Sequence, residues 1–139
     1  MAEAIGLASG VLALATFAFR CSVSLYETVN GFRSHPKRVR DLLAELEALS
    51  AVLAPLVDLV KSNFSVDLSC LDLPLLRCGN VCQEFQQEIL KCASRSDRTG
   101  TSFRDWARLT YMGNNIVDFR DLLAGYKATI NIALTDVNL

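Results

Sequence analysis

The chain opens on an apolar run that carries no charged side chain for sixteen residues, from Ala4 to Phe19, and that closes at Arg20. A helix that crosses a bilayer needs about 20 predominantly apolar residues, so this run is slightly short for a span. Three partners suit such a run: a translocation machinery, a lipid bilayer, or the other helices of the same domain. A cleaved signal peptide is disfavoured because Glu3 is the only charged residue before the run.

One side of the run carries large and small residues by turns. Its positions recur every seventh residue in two interleaved sets, which are Ile5, Leu12, Phe19 and Tyr26 with Ala8, Ala15 and Ser22 between them. This spacing predicts a helix whose small residues let a neighbouring backbone approach closely. Such a helix suits the centre of a folded bundle, buried on all sides, and it suits helix association in lipid equally well.

The second apolar stripe is the clearest in the sequence. Its positions step by three and four, as one face of a helix requires, and they are Val39, Leu42, Leu43, Leu46, Leu49, Leu53, Leu56, Val57 and Val60. Ser34 and Pro36 mark the start of this helix, and Asn30-Gly31 closes the preceding one. We expect Pro55 to kink the helix because proline removes a backbone donor and crowds the carbonyl four residues back. The helix should end near Lys61.

Two further regions follow a connection at residues 62–70. The first predicts a helix from about Leu73 to Ala93, and its apolar positions are Leu71, Leu75, Cys78, Cys82, Phe85, Ile89 and Cys92. The second predicts a short helix at 103–109, a break at the Gly-Asn-Asn of 113–115, and then a long helix. The apolar positions of that long helix are Ile116, Phe119, Leu123, Tyr126, Ile130, Ala133 and Val137.

Taken together, the stripes predict an all-α fold: a single helical bundle of four long helices and one short helix that spans residues 1–139. No alternating stretch is long enough for a β-sheet, and a hydrophobic content of 51% supports a sizeable core. The connections have a length that makes sequential helices antiparallel neighbours.

Composition argues against several function classes. A net charge of −1 gives no overall field to attract nucleic acid. His35 has no nucleophile or carboxylate placed beside it by a motif, so we do not expect an enzyme. Cys78 and Cys82 lack both the spacing and the second pair of a zinc site, and we expect no metal and no cofactor. An odd count of five cysteines without a secretory signal predicts free thiols in a reducing cytosol.

The one local concentration of charge is basic, and it consists of Arg33, Lys37, Arg38 and Arg40. Cations at a helix N-terminus oppose the helix dipole, so helix stability does not explain their position. Two interpretations stay open. The cluster contacts anionic lipid head groups, or it is a solvated turn that pairs in part with Asp41 and Glu45.

Three segments of the chain resemble a known group of fungal domains. They are MAEAIGLASGVLALATFAFRCSVSLYETVNGF at the start, RVRDLLAELEALSAVLAPL in the second helix, and Trp106 followed by YKATINIAL near the end. They resemble the HeLo-like N-terminal domains of STAND (NLR-like) immune-type proteins and the related N-terminal family of azaphilone pigment cluster protein L. The resemblance covers almost the whole chain, and an apolar pattern carries it more than a set of chemical groups does.

This resemblance implies a bundle akin to the four-helix executioner domain of the necroptosis pseudokinase, placed as the N-terminal module of a larger protein. In such relatives, oligomerisation frees the N-terminal helix to insert into membrane. Carried over to this chain, the inserting element is Ala4 to about Tyr26, and its lipid-facing candidates are Ile5, Leu7, Val11, Leu12, Leu14, Phe17 and Phe19. Ser9, Thr16 and Arg20 depart from an ideal spanning helix.

Two function classes therefore stay open. The first is a cytoplasmic effector of regulated cell death or heterokaryon incompatibility in innate immunity. It would oligomerise, move to the plasma membrane, and act on anionic lipids through its first helix. The second is a soluble interaction or regulatory bundle that binds identical copies or other domains of the parent protein and has no membrane activity. A third idea is a small lipid or pigment-like ligand lined by Trp106, Tyr111 or Phe119, although ordinary core aromatics explain these residues better.

Overall fold

The computed structural model describes residues 2–32, 35, 37–62, 67–95 and 113–138, and it describes side chains over 10–32, 35, 37–62, 67–91 and 116–136. These ranges hold α1 (Ala2–Asn30), α2 (Lys37–Ser62), α3 (Asp72–Arg95) and α4 (Gly113–Asn138), with a 3-10 turn at Ser69–Leu71 before α3. They contain no strand, which confirms the all-α class. The short helix predicted at 103–109 lies outside the described residues.

The helix ends agree with the sequence pattern except at one place. α1 ends at Asn30 as expected, and the Gly31 amide still donates to the Glu27 carbonyl at 3.0 Å. The break predicted at 113–115 is wrong, because these three residues form the first turn of α4. Asparagine and glycine are common at a helix N-terminus, where an asparagine side chain can accept a hydrogen bond from amides that have no partner within the helix. α2 continues through Pro55 as one helix, and Pro55 lies on its exposed face.

Two helix pairs in the bundle are antiparallel neighbours, as predicted. The short connection at 31–36 folds α2 back along α1. α3 and α4 also run in opposite directions, because Phe85 stacks on Phe119 while Cys78 lies near Tyr126. Their aromatic side chains lie between the two helices, and the Phe85 and Phe119 ring centroids are 4.2 Å apart.

The helices α2 and α3, which the sequence predicts to be antiparallel neighbours, do not lie side by side. α1 packs against both α2 and α3, whereas α2 and α3 barely touch each other within the described part of the chain. α1 and α3 run parallel, since Phe17 meets Gly79 at one level and Ser24 meets Gln86 further along. α4 packs mainly on α2, on the side of the bundle away from α1. The sequential helices α2 and α3 therefore lie across the bundle from one another.

The buried line of α1 keeps the small positions Ala15 and Ser22 of the predicted seam but is shifted by one position from its large ones. Leu12, Phe19 and Tyr26 are only half-buried. The buried positions are Val11, Ala15, Ala18, Ser22, Leu25 and Val29. Because α1 is flanked by two helices, small residues occupy the line of close approach and the large side chains spread to either side. The side chains of Ile5 and Ala8 lie outside the described residues.

The other stripes are buried much as predicted. On α2, all predicted positions are buried except Val57, which is half-buried. On α3 and α4, Phe85 and Tyr126 are half-buried, and the side chains of Cys92 and Val137 lie outside the described residues. The remaining positions are buried, and they are Leu71, Leu75, Cys78, Cys82, Ile89, Ile116, Phe119, Leu123, Ile130 and Ala133. One continuous hydrophobic core results.

Gly79 on α3 packs directly against the aromatic ring of Phe17 on α1. A Cβ atom added at Gly79 would overlap the ring of Phe17, so any side chain at this position competes with the ring for the same space. Gly125, on the exposed face of α4, has open space around its missing Cβ. Gly79 and Gly125 therefore form a matched pair of helical glycines, one in contact with a ring and the other in open space.

We expect Gly79→Ala to lower the free energy of unfolding by about 1–2 kcal/mol. Overpacking costs about 1–3 kcal/mol, and removing a helical glycine returns about 0.5–1 kcal/mol. Gly125→Ala should instead stabilise the chain by about 0.5–1 kcal/mol. Urea unfolding measures both values, and equal stabilisation by the two changes would show that the Phe17 ring does not occupy the space over Gly79.

Candidate functional site

The contacts of α1 form the candidate site. A membrane effector would release this helix from the bundle, whereas an interaction module would keep it packed. Ser22 is fully buried, and its hydroxyl donates to the Phe19 carbonyl at 2.8 Å. It also lies 3.2 Å from the hydroxyl of Ser50 on α2. The Ser50 hydroxyl has one proton, which it can donate either to the Ser22 oxygen across the interface or to the Leu46 carbonyl at 3.0 Å. This small polar chain ties α1 to α2 in the middle of an apolar interface.

A second polar contact ties the C-terminal half of α1 to α3. The side-chain amide of Gln86 donates to the Ser24 hydroxyl at 2.8 Å and to the Thr28 hydroxyl at 3.0 Å. Thr28 donates onward to the Ser24 carbonyl at 3.0 Å. Hydrogen bonds require a defined orientation, so these contacts fix the rotation and the height of α1 against α3.

The candidate lipid-facing residues belong to the folded core wherever their side chains are described. Val11 is buried, and Leu12, Leu14 and Phe19 pack half-buried against the core. Phe17 lies on Gly79, while the side chains of Ile5 and Leu7 fall outside the described residues. Among the described residues, no helix is both long enough and apolar enough to cross a bilayer.

The basic residues gather at one end of the bundle. We call this surface the basic end and define it as Lys37, Arg38 and Arg40 of α2 with Arg120 of α4. Lys37 donates to the Asp41 carboxylate at 2.8 Å, and the Arg120 guanidinium lies 3.4 Å from the same carboxylate. The hydrogen bond from Lys37 lowers the pKa of the Asp41 carboxyl, and the nearby charges of Arg120 and Arg40 lower it further.

Only part of the expected pairing in this cluster is present. Lys37 pairs with Asp41 as the solvated-turn interpretation expects. Glu45 pairs instead with Lys127 of α4, whose amine lies 3.1 Å from its carboxylate. Arg38 and Arg40 are exposed and form no ion pair among the described residues, although the charge of Arg40 acts on Asp41 at longer range. Arg33 lies outside the described residues.

The basic end lies at the C-terminal end of α1. About 28 Å of helix separates Val11 from Asn30, given a rise of about 1.5 Å per residue. The start of the apolar run is therefore at the opposite end of the bundle from the cations. In the folded chain, the apolar residues and the cations do not share one membrane-facing surface.

The cysteines form a buried thiol group where α1 meets α3. Cys78 and Cys82 are buried, Cys21 is half-buried, and all three are free. The hydrogen bond with Cys78 and burial raise the pKa of the Cys82 thiol, and burial raises the pKa of Cys21. Protonated thiols are poor nucleophiles and poor metal ligands. No group of metal-ligating side chains that could hold an ion occurs in the described part of the chain.

Of the three aromatic residues considered for a ligand site, Phe119 lies within the described part of the chain. Phe119 is buried, and its ring stacks on Phe85 with an interplanar angle of 10°. This is the packing of a core aromatic. Trp106 and Tyr111 lie outside the described residues.

The sequence pattern missed the residues that hold α1 in place. Gly79 and Gln86 both lie on α3 and contact α1. Gly79 meets the Phe17 ring, and Gln86 donates to Ser24. The available signals were a glycine inside a helix and the polar residues Ser24 and Thr28 spaced four apart on an otherwise apolar helix. Neither signal identifies its partner about sixty residues away in the chain.

The adjacent glutamines Gln86 and Gln87 test the polar contact. Gln86→Ala removes two hydrogen bonds from a half-buried position, so we expect a loss of about 1–2 kcal/mol in the free energy of unfolding. Gln87→Ala changes a neighbour that is exposed in the single chain and should alter the stability of the monomer by less than about 0.5 kcal/mol. Equal losses in the two variants would contradict the assigned contact with α1.

The family model described as pigment biosynthesis cluster protein PigL N-terminal matches residues 2–139. No curated protein matches the chain. No solved structure matches it. The resemblance to the pigment cluster family is thereby confirmed, and the link to STAND proteins stays a prediction. The chain belongs to the PigL N-terminal family of pigment biosynthesis cluster proteins.

Proposed function

We propose that this domain is a helical protein–protein interaction module in which α1 stays in place as the central helix. The observation that supports this proposal is the docking of α1 between α2 and α3, by a buried apolar line and by hydrogen bonds on both sides. The proposal assigns the domain no enzymatic activity and no cofactor. Its partners are identical copies or other domains of a larger cytoplasmic protein.

The energetics favour a docked α1. Fully burying a valine or leucine side chain contributes about 1.5–3 kcal/mol, and α1 buries Val11, Leu25 and Val29. Each interhelical hydrogen bond adds about 0.5–1.5 kcal/mol. The sum is comparable to the whole stability of a small domain, about 5–15 kcal/mol. Release of α1 would therefore amount to unfolding the bundle.

The outer surface offers the contacts that an interaction module needs. Large apolar side chains are exposed on the outer face of α3, and they are Leu73, Leu76 and Leu90. Exposed apolar side chains that line up on one face are a common feature of protein-binding surfaces.

A second candidate function rests on the basic end. Arg38 and Arg40 are exposed and form no ion pair among the described residues, and each such cation contributes about 1 kcal/mol near an anionic membrane. If α1 inserted with its N-terminus first, these cations would remain at the head groups. This is the arrangement that an NLR-like cell-death effector at the plasma membrane would use.

A removable cross-link between α1 and α3 separates the two candidates. In Phe17→Cys/Gly79→Cys, the two thiols replace a ring and the glycine on which it lies. Under our proposal, the reduced and the oxidised protein both fail to release dye from phosphatidylserine vesicles. Mass spectrometry should confirm that the bond joins positions 17 and 79, because Cys21 and Cys78 lie nearby.

The opposite result has a distinct signature. Leakage by the natural chain and by the reduced variant, abolished on oxidation, would show that α1 must leave the bundle, and the membrane function would replace our proposal. In that case Arg38→Glu/Arg40→Glu should weaken leakage. The control Asp118→Arg/Asp121→Arg, which adds charge on the exposed face of α4, should not weaken it.

A further inference from the structure

The exposed face of α3 carries a second seam that the fold does not use. We call it the outer stripe and define it as Leu73, Leu76, Asn80, Gln83, Gln87 and Leu90. These residues alternate in steps of three and four, all are exposed, and none is charged. Leu73, Leu76 and Leu90 expose 52%, 41% and 50% of their surface. This spacing is that of the a and d positions of a coiled coil.

The outer stripe is distinct from the face that α3 buries in its own bundle. Leu75, Cys78, Cys82 and Ile89 occupy that buried face. A row of charges borders the outer stripe on one side, with Arg77, Glu84, Glu88 and Lys91. On the other side, Gly79 and Gln86 contact α1. α3 is thus partnered on one face and bears a heptad pattern on the opposite face.

We propose that the outer stripe pairs antiparallel with the same stripe of a second copy, around a two-fold axis near position 81. This inference deepens the proposed interaction function by naming its partner. The pairing places Leu73 of each copy against Leu90 of the other, so that one such leucine pair closes each end of the seam. Asn80 lies opposite Gln83 of the second copy at the centre, where two amides can exchange hydrogen bonds. A polar pair at the middle of a seam fixes its register.

The charges along the edge favour this orientation. In the antiparallel pair, the edge that carries Arg77 and Glu84 meets the same edge of the second copy, so Arg77 lies beside Glu84 of the second copy. The two-fold axis repeats this attraction once. In a parallel pair, Glu84 and Lys91 would instead face positions 79 and 86, which α1 already covers. Charge complementarity and the position of α1 therefore select the antiparallel form.

Sedimentation equilibrium of the whole chain without lipid tests the pairing. We expect a concentration-dependent dimer whose dissociation constant rises at least about tenfold in Leu90→Glu, because the new charge would face Leu73 of the second copy. Ile132→Glu is the matched control. Ile132 is more exposed, at 64%, but it lies on α4 away from the stripe, so this variant should dimerise like the natural chain.

Charge reversal tests the orientation. Arg77→Glu and Glu84→Arg each place like charges together in the antiparallel pair, and each should weaken the dimer. The double variant restores opposite charges and should regain dimerisation. These positions are exposed, and circular dichroism will verify that every variant is folded.

Different results would overturn the interface and the antiparallel orientation. A chain that is monomeric at all concentrations, or a dimer that Leu90→Glu leaves intact, overturns the interface. A dimer that responds to Leu90→Glu without rescue by the double charge reversal overturns the antiparallel orientation. Because this measurement uses no lipid, its outcome is independent of the vesicle experiment that tests the proposed function.

Discussion

The close packing of α1 between α2 and α3 determines where the other helices can lie. Two neighbours can approach one helix only where its side chains are small, and Ala15, Ala18 and Ser22 provide that line. Larger residues then fill the flanks, and α3 accepts the Phe17 ring because Gly79 has no side chain. The middle connection must consequently place α3 beside α1, with α2 on the other side.

Polar groups give this apolar contact its specificity. An apolar helix against apolar neighbours can slide or rotate at little cost, whereas the contacts of Ser22 with Ser50 and of Gln86 with Ser24 and Thr28 are satisfied in one position only. Of these residues, Ser22, Ser24 and Thr28 belong to α1, and their hydroxyls make it less apolar than an ideal spanning helix.

The sequence predicted the amphipathic helices well and the all-round apolar helix less well. α2 has one apolar face, so its buried residues follow directly from the spacing. α1 is apolar on nearly every side, so spacing alone could not choose between the line of Leu12 and Phe19 and the line of Val11 and Ala18. That choice depends on two flanking helices, and the contact between Gln86 and Ser24 depends on tertiary structure that no local pattern contains.

We expect α1 to remain part of the core for as long as the domain is folded. Native-state hydrogen exchange with increasing urea measures this. The amides of residues 15–29 should exchange only through global unfolding, with the same free energy as those of Leu42 to Leu56 in α2. Exchange of the α1 amides at a free energy several kcal/mol lower, while α2 stays protected, would contradict this expectation.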